Sequence, residues 1–369
     1  MRARILCLVA LVVVSACGAS DTTPPTAPAS PTPAPADPRT LPVYFPPLSG
    51  DAWETVRATA IGWDSTALAS ALDWAGTQRS TAMVVLWRGR IVAERYWGGW
   101  TASRDSVIAS AGKSVSAFLV GQLIDQGRVQ LDDAASRHLG AGWSRAPLVE
   151  AQITVRHLLS MSSGLDESLR AVADPGTRFF YNNPAYYQLF GVIERAGGQA
   201  LQALSRTLLF DRIGMQSASW RPNIDTGELG YVLSCTARDM ARFGLLIAAG
   251  GRWNGQPLLR DTTFFRAMLS SSSGSNPAYG YLWWLNGKSS YRLPGPAALP
   301  TLSGSLVPSA PSDLVAALGA GDKKIYVSPA LELVVVRHGV EADPAGGNPL
   351  ARSAFDEQLW QRLRTALRY

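Results

Sequence analysis

The segments that favour β-strands lie near the two ends of the sequence, and this arrangement limits the fold more than any other feature. Residues 81–100, TAMVVLWRGRIVAERYWGGW, contain two apolar runs around RGR at 88–90, a pattern typical of a β-hairpin. Towards the other end, DLVAALG, KKIYV and LELVVVRH predict three strands at hairpin spacing, followed by an amphipathic helix from about Leu350. Because the segments between them favour helices, we expect an α+β layer made from both chain ends, with a helical subdomain at about 128–265.

Four intervening segments carry helical signals. In residues 110–127, apolar side chains from Val115 to Leu123 recur on one face, and Gly127 can end the helix. ITVRHLLSMSSGL predicts a short helix followed by a Ser/Gly turn. YNNPAYYQLFGVIERAGG and TARDMARFGLLIAAGG predict two further helices, each closed by paired glycines.

The first seventeen residues have the pattern of a bacterial export signal. MRAR is basic, and the apolar run from Ile5 to Val14 is too short to span a bilayer. VSAC at 14–17 resembles a lipobox, in which Cys17 is lipidated and becomes the mature N-terminus. The alternative is ordinary signal cleavage nearby, with Cys17 incidental.

The sequence after this signal divides into a tether and a folded part. Residues 18–47 are rich in Pro, Ala and Thr, cannot build a core and suit a semi-rigid tether. We therefore expect a signal peptide at 1–16, a lipid-anchored tether at 17–47 and one folded domain at 48–369. Such a domain would sit in the cell envelope, facing the periplasm or the outer surface of a bacterium, with the membrane contacted through the lipid alone.

Charge and cysteine content exclude several classes of function. The net charge of +6 comes largely from arginines scattered singly, without a basic block or nucleic-acid motif, so no nucleic-acid partner is expected. Cys7 would be lost with the signal, which leaves Cys235 alone in the folded part and allows no disulfide framework. The sequence contains no Cys/His metal spacing, phosphate loop or dinucleotide fingerprint, so we expect neither a metal nor a cofactor.

Ser110 begins the helix predicted at 110–127, and Lys113 follows it three positions later. The sequence has no GxSxG nucleophile elbow, and His157 in the apolar segment VRHLLSM is best explained as a core residue, so a serine enzyme would need another base. Ser110 and Lys113 lie on one helix face, and a lysine buried in an apolar helix tends to be neutral and able to take the serine proton. The alternative is an N-cap serine with an exposed lysine.

A second motif, YNN at 181–183, lies about seventy residues downstream in a turn bounded by Pro and Gly. A phenol beside a cation can lose or share its proton, so Tyr181 could act as a base and then as proton donor to a leaving group. Asn183 could orient Lys113 and bind a substrate carbonyl. The alternative is a tyrosine stacked in the turn that begins a helix.

The two motifs, in this order and spacing, resemble those of the serine β-lactamase and penicillin-binding-protein-like superfamily. ITVRHLLSMSSGLD, PGTRFFYNNPAYYQLFGVIE and TARDMARFGLLIAAGGRWNGQPLL also resemble stretches of that family. Within it, the chain is more similar to the esterases and the 6-aminohexanoate-dimer-hydrolase-like members than to true β-lactamases. The resemblance implies a transpeptidase-like fold with an antiparallel sheet from both chain ends. It also implies Ser110 as nucleophile, Lys113 as its activating partner, and Tyr181 with Asn183 from the second motif.

One family element is missing. The third motif of the family, Lys-Thr-Gly or His-Thr-Gly, lies on the strand at the edge of the active site, but here ALG at 317–319 occupies that place. Lys323 is displaced by about six positions and cannot simply replace the cation. The backbone at this place is retained, so the N–H groups of Ala320 and Ser110 could together form an oxyanion hole. Gly319 would permit the close approach of the two segments.

The aromatic run YGYLWWL at 279–285 allows two interpretations. Its residues Tyr279, Tyr281, Trp283 and Trp284 could line an apolar acyl pocket, with Trp283 as a substrate-binding residue, or they could pack in the core.

The sequence thus predicts a lipid-anchored serine hydrolase that acts through an acyl-enzyme on small esters or amides. Because the third-motif cation is absent, we expect neutral substrates to be preferred. A D-alanyl-D-alanine carboxypeptidase or β-lactamase is the alternative within the same class. A catalytically idle, envelope-binding domain of the same fold is the alternative outside it.

Overall fold

The strands predicted from the two chain ends form one sheet. The computed structural model describes residue 37 and residues 40–223, 230–295, 299–342 and 351–369. Its strands are β1 (Ser80–Trp87), β2 (Arg90–Tyr96), β3 (Ser106–Val107), β4 (Ser219–Pro222), β5 (Tyr231–Cys235), β6 (Arg252–Trp253), β7 (Gln256–Pro257), β8 (Trp284–Leu285), β9 (Ser290–Tyr291), β10 (Leu302–Ser303), β11 (Val315–Gly319), β12 (Lys323–Ser328) and β13 (Leu333–Gly339). A six-stranded antiparallel sheet has the order β2-β1-β13-β12-β11-β8.

Helices occupy the sequence between the terminal strands, as predicted. They are α1 (Ser65–Thr77), α2 (Gly112–Asp125), α3 (Ala135–Leu139), α4 (Val155–Leu159), α5 (Asn183–Gly197), α6 (Leu201–Ser205), α7 (Asp211–Ile213), α8 (Ala237–Ala248), α9 (Thr262–Met268) and α10 (Ala354–Leu367). Short 3₁₀ turns lie at Ala58–Ile61, Ala109–Ala111 and Glu150–Gln152, and a π-helical turn at Arg206–Phe210. The fold is therefore the α+β arrangement expected from the sequence.

Helices cover both faces of the six-stranded sheet. On one face, α1 and α10 meet where the rings of Trp74 and Phe355 stack with centroids 5.4 Å apart. On the other face, α8 lies so close to the sheet that a Cβ at Gly244 would come within 2.5 Å of the Val334 side chain. Glycine at 244 therefore lets the helix and sheet backbones approach closely and bury the apolar residues between them.

The predicted subdomain at 128–265 needs correction. Its helix α8 packs on the six-stranded sheet and belongs to the sheet layers, because its strongly apolar face needs a broad apolar partner. The segment also contributes two small β-elements: β4 and β5 in the three-stranded sheet β3-β5-β4, and the hairpin β6-β7. Helices together with small β-elements, rather than helices alone, make up the insertion.

The predicted boundary between tether and domain also moves. Tyr44, which falls within the predicted tether, donates its N–H to the Arg88 carbonyl, and its own carbonyl lies against Gly89 in the β1–β2 turn. Phe45 packs edge-on against Trp253 with centroids 5.1 Å apart. The folded domain therefore begins several residues before 48, because an aromatic Pro-Val-Tyr-Phe segment has apolar surface to bury against the sheet edge.

The predictions for the first residues lie outside the described part of the chain. The signal peptide at 1–16, Cys17 and the tether up to Ala36 are among the residues that the structure does not describe. Among the residues it does describe, no helix has the length and apolar character needed to cross a membrane.

Candidate active site

Ser110 lies in the tight turn that leads into helix α2. The turn Ala109–Ala111 is a 3₁₀ turn, and α2 continues from Gly112. Ala109 has a φ of 48°, a left-handed conformation that is strained for a residue with a Cβ and typically costs about 1–2 kcal/mol. Such strain is found where the surrounding structure fixes a backbone for function. The serine hydroxyl therefore has a position set by the fold rather than by a flexible loop.

Lys113 is brought to Ser110 by one turn of helix. Its Nζ lies 3.1 Å from the Ser110 Oγ, within hydrogen-bond distance. Lys113 is only 5% exposed, and its Nζ lies 4.5 Å from the ring centroid of Tyr186 and 5.1 Å from that of Tyr181. Lys113 is therefore buried and lies next to the serine hydroxyl, as expected for a base. It is not the exposed lysine of the alternative interpretation.

Tyr181 also lies beside the Ser110–Lys113 pair, with its ring centroid 5.1 Å from the Lys113 Nζ. Its ring stacks on Trp284 with centroids 6.2 Å apart and meets Tyr279 edge-on at the same distance. Burial raises the pKa of the Tyr181 phenol well above its usual range, although the nearby Ser110 side chain opposes this rise. The resting phenol is therefore neutral, which suits a proton donor or relay and favours that part of its predicted role over the part of a base.

The two asparagines of the second motif have different tasks. Asn182 caps helix α5 by accepting the Ala185 N–H, while its Nδ2 donates to the carbonyls of Leu165 and Asp166. Asn183 is the first residue of α5 and lines the pocket beside Ser110, with its buried Oδ1 making no hydrogen bond within the described structure. Asn183 is therefore placed to bind a donor group, while Asn182 holds the turn.

Strand β11 approaches the Ser110 turn through a glycine. A Cβ at Gly319 would lie 2.2 Å from the carbonyl oxygen of Ile108 and 3.1 Å from the Ala111 nitrogen. Ala320, the next residue, lines the same pocket as Ser110. The sequence-based expectation that Gly319 permits a close approach is thus met, and Ala320 lies on the side of the site opposite the helices.

A pocket of about 360 Å³ opens beside Ser110. Its described walls are formed by Val107, Ala109, Ser110, Gly112, Lys113, Asn183, Tyr186, Tyr187, Trp220, Asn223, Tyr231, Val232 and Ala320. Among these lining residues Lys113 is the one cationic side chain, and none is a carboxylate. Such a wall, which combines apolar and aromatic side chains with a few polar groups, is typical of a small-molecule site.

The aromatic wall beyond Tyr186 was not predicted from the sequence. Trp220 and Tyr231 lie on the paired strands β4 and β5, and Asn223 donates from its Nδ2 to the Tyr187 hydroxyl at 2.9 Å. The signal that could have found them is weak: SWRP and YVLSC are short apolar segments on either side of a polar one. Their place at the pocket depends on β3 pairing with β5, which brings distant segments together.

Trp283 is not a pocket residue, which corrects its predicted role in substrate binding. It is fully buried and stacks on Phe243 of α8 with centroids 5.9 Å apart. Tyr279 and Trp284 pack behind Tyr181 instead of lining the pocket, and Tyr281 accepts a hydrogen bond from Arg156. The aromatic run therefore belongs to the core and supports the Tyr181 ring.

The missing cation of the third motif is not supplied by Lys323. Ala317, at the equivalent strand position, is buried and pairs with Ile325. Lys323 pairs with Gly319 across the hairpin, but its Nζ folds back over Gly321, where a Cβ would lie 2.6 Å from it. Lys323 is not among the lining residues, so the structure offers no substitute there for the family's lysine or histidine.

His157 and His338 lie outside the pocket and have partners of their own. His157 accepts the Thr154 N–H in a capping box at the start of α4 and is only half-buried, so it is a helix-capping residue with its own partner rather than the core residue predicted. His338 is buried on the sheet, with its Nε2 3.0 Å from the Cys235 carbonyl oxygen. Within the described ranges, no group of three or more His, Cys, Asp or Glu side chains is placed to hold a metal ion.

The sheet order, the helices on both faces and the serine at the start of α2 define the β-lactamase-like fold of serine hydrolases. Residues 66–338 match the sequence model of the Beta-lactamase family, and because this span is most of the chain, the protein belongs to that family. Membership places the protein among serine hydrolases in general, while its substrate is a separate question.

Solved structures share this fold at low sequence identity. A candidate β-lactamase from Bacteroides dorei superposes with a TM-score of 0.66 and 19% identity, over 83% of this chain and 100% of that one. A candidate 6-aminohexanoate-dimer hydrolase from Bacillus anthracis gives a TM-score of 0.62 and 19% identity, over 83% and 86%. EstCE1, a hydrolase with promiscuous acyltransferase activity, gives 0.59 and 14%, over 81% and 98%. These similarities establish a common fold.

Proposed function

We propose that this protein hydrolyses neutral esters or amides through an acyl-enzyme on Ser110. The observation that carries the proposal is the 3.1 Å contact between the Lys113 Nζ and the Ser110 Oγ at the wall of a largely apolar pocket. A hydroxyl is a weak nucleophile unless a neighbouring base removes its proton, and a buried lysine is such a base. Family membership supports the general reaction, and the residues of this pocket support its details.

The reaction would begin with attack of the Ser110 Oγ on the substrate carbonyl carbon, while the Lys113 Nζ takes the hydroxyl proton. The carbonyl oxygen becomes an oxyanion held by the N–H groups of Ser110 and Ala320. When the intermediate collapses, the bond to the leaving group breaks. The proton held by Lys113 reaches the leaving atom through the Tyr181 hydroxyl, which gives up its own proton and receives that of the ammonium.

Water then completes the cycle. It attacks the acyl carbon and gives a proton to Lys113 as before, and the bond from the acyl carbon to Ser110 breaks. The serine oxygen recovers a proton, and the carboxylic acid leaves. The net reaction is hydrolysis of one ester or amide bond, with no co-reactant other than water.

The charges around the pocket support neutral substrates. Penicillins and D-alanyl peptides carry a carboxylate near the scissile carbonyl, and Ala317 here cannot bind it. A charge-assisted hydrogen bond contributes about 1.5–3 kcal/mol, or roughly one to two powers of ten in rate. A short ester or amide without a charge loses nothing, and its acyl group can lie against Tyr186, Trp220 and Tyr231.

Comparison of kcat/KM for p-nitrophenyl butyrate, nitrocefin and a D-alanyl-D-alanine peptide tests this proposal. The wild type should prefer the ester. Ala317→Lys should improve nitrocefin hydrolysis relative to Ala317→Met, the uncharged control of similar length that disturbs the same buried position. A wild type that prefers nitrocefin or the peptide would instead be a β-lactamase or a carboxypeptidase. An absence of turnover with every substrate, together with no phosphonate adduct at Ser110, would indicate the non-catalytic binding domain.

We also propose that the protein is a lipoprotein of the bacterial cell envelope. The support comes from the sequence alone: a basic start, a short apolar run and VSAC ending at Cys17, followed by a Pro-rich tether. Such a tether would hold the hydrolase domain away from the membrane surface while leaving its pocket open to small molecules.

A further inference from the structure

The turn between β11 and β12, which contains Ala320, is tied into the protein interior by Asp322. This aspartate is fully buried and has a φ of 58°. Its Oδ1 accepts a hydrogen bond from the Ser353 Oγ at 2.7 Å and lies 3.1 Å from the Lys324 Nζ. Its Oδ2 accepts the Ala342 N–H at 2.9 Å. A single carboxylate thus joins the turn to the strand that follows it and to two distant segments, one just after β13 and one at the start of α10.

The cations around Asp322 are also fixed. Lys324 binds Asp356 of helix α10 at 3.1 Å, and Asp356 in turn accepts the Tyr326 hydroxyl at 2.6 Å. Arg337 donates from its Nη1 to the main-chain carbonyl of Asp322 at 2.8 Å. Burial opposes ionisation of Asp322, but Lys324 and the hydrogen bonds lower its pKa below the usual range, so it is a carboxylate. Buried charges arranged in this way hold one geometry, because breaking any pair leaves an uncompensated charge.

At its β11 end, the β11–β12 turn lies against the segment that leads to Ser110. Gly319, which ends β11, contacts the Ile108 carbonyl just before the Ser110 turn. Ala320 therefore lies between a backbone contact to the nucleophile segment and, two residues later, the buried carboxylate of Asp322. Oxyanion stabilisation depends on donors that are already in place before the charge develops. A turn held at both ends meets that requirement.

We propose that Asp322 is a positioning residue, which fixes the Ala320 N–H for the oxyanion by anchoring the β11–β12 turn to helix α10. The proposal rests on the function proposed above. Asp322 does not touch substrate, so its effect should appear in the chemical step and not in ground-state binding. An effect on the chemical step distinguishes a positioning role from a purely structural one. A purely structural residue would change the stability of the protein without a specific effect on kcat.

Asp356 provides the matched control. It is as fully buried as Asp322 and binds the same Lys324, but its other contacts are with Tyr326 and with Ser353, whose N–H it accepts at the N-cap of α10. Asp356→Asn and Asp322→Asn each remove one negative charge from the same network while keeping side-chain size. Only Asp322→Asn removes the charge from the turn that contains Ala320.

The experiment measures kcat and KM for p-nitrophenyl butyrate, inhibition by phenylboronic acid and the melting temperature of each full-length protein. Loss of a whole oxyanion donor typically costs about 10²–10³ in kcat, so a displaced donor in Asp322→Asn should cost about tenfold or more, with KM nearly unchanged. The boronate places an oxygen where the oxyanion forms, so its Ki should weaken by a similar factor. Asp356→Asn should lower the melting temperature comparably but keep kcat within about threefold of the wild type.

Equal losses of kcat in the two variants, or a folded Asp322→Asn protein with normal kcat, would overturn the positioning role. If Asp322→Asn does not fold, Ser353→Gly removes the hydroxyl that binds Asp322, and glycine at an N-cap costs a helix little. It should lower kcat and weaken boronate binding together, and an unchanged kcat would again overturn the proposal. A wild type that neither hydrolyses the ester nor binds the boronate would overturn the proposed function itself, a result distinct from either of these.

Discussion

Gly319 and Ile108 are in such close contact that a single methyl group between them could not be accommodated. The carbonyl oxygen of Ile108 lies 2.2 Å from the point where a Cβ at Gly319 would be. One residue lies at the end of strand β11, and the other lies two positions before Ser110. The two walls of the candidate active site are therefore set directly against each other, backbone to backbone.

Gly319→Ala should separate these walls and lower kcat at least a hundredfold, because Ala320 would move away from the forming oxyanion. The added methyl group should also destabilise the protein by about 1–3 kcal/mol, as overpacking does. Gly274→Ala is the control, since no atom lies within 4 Å of a Cβ there. Ester hydrolysis and thermal unfolding measure both effects, and near-normal kcat in Gly319→Ala would show that this contact does not set the catalytic geometry.

Tyr181→Phe should reduce kcat by several orders of magnitude while leaving the fold intact. The phenylalanine ring keeps the packing against Tyr279 and Trp284, but the hydroxyl proposed to pass the proton to the leaving group is lost. Turnover of p-nitrophenyl butyrate and the melting temperature are the two measurements. An ester with an alkyl alcohol as leaving group depends most on protonation of that group. If Tyr181→Phe keeps most of its activity on such an ester, Tyr181 does not transfer the proton.

Stability should fall as the pH drops from about 6.5 towards 4, in part because of His338. Burial lowers the pKa of this histidine to about 4, with the nearby Lys323 and Arg337 acting in the same direction. In that pH range the unfolded chain binds a proton that the native state does not, so the free energy of unfolding decreases with falling pH. The full effect is on the order of 3 kcal/mol, and it is complete once the pH is below the native pKa.

His338→Gln should flatten this part of the pH dependence, measured as the free energy of urea unfolding between pH 7 and 4. His138→Gln provides a control histidine outside the sheet, where its ring lies 3.1 Å from Asp133. The difference in slope between the two variants isolates His338 from the many titrating carboxylates. If the free energy of unfolding depends on pH equally in His338→Gln and in the wild type, His338 does not have a lowered pKa in the native state.

Cys17→Ser should release the protein from the membrane fraction. Each acyl methylene buried in a bilayer contributes about 0.8 kcal/mol, so loss of the chains removes nearly all membrane affinity. Fractionation of cells expressing the full chain measures this, with Cys7→Ser as a control cysteine inside the predicted signal. Retention of Cys17→Ser in the pellet after a salt wash would exclude the lipobox assignment.

Local signals predicted most of the secondary-structure elements and the contact between Ser110 and Lys113. The RGR hairpin appears in the structure with Arg88 and Gly89 both at positive φ, the geometry of a tight two-residue turn. Ser110 and Lys113 could be placed together because three residues make one helical turn. In both cases the information lies within a few consecutive residues, which is why the sequence was sufficient.

Longer-range features could not be predicted in the same way. Lys324 looks like half of an exposed KK pair, yet it is fully buried, because its partner Asp356 comes 32 residues later from another helix. Trp283 sits in an aromatic run that the sequence could assign either to a pocket wall or to the core. Which face of such a segment meets a pocket depends on sheet pairing and helix packing, and neither is encoded within the run itself.

Activation of Ser110 by Lys113 can be tested by reaction with a fluorophosphonate, followed by peptide mapping with mass spectrometry. The wild type should carry one adduct, on Ser110, formed rapidly at neutral pH. Lys113→Ala should react at least a thousandfold more slowly, and its ester turnover should fall to the level of Ser110→Ala, since members of one catalytic unit do not contribute additively. An adduct on another residue, or equally fast labelling of Ser110 without Lys113, would contradict the account.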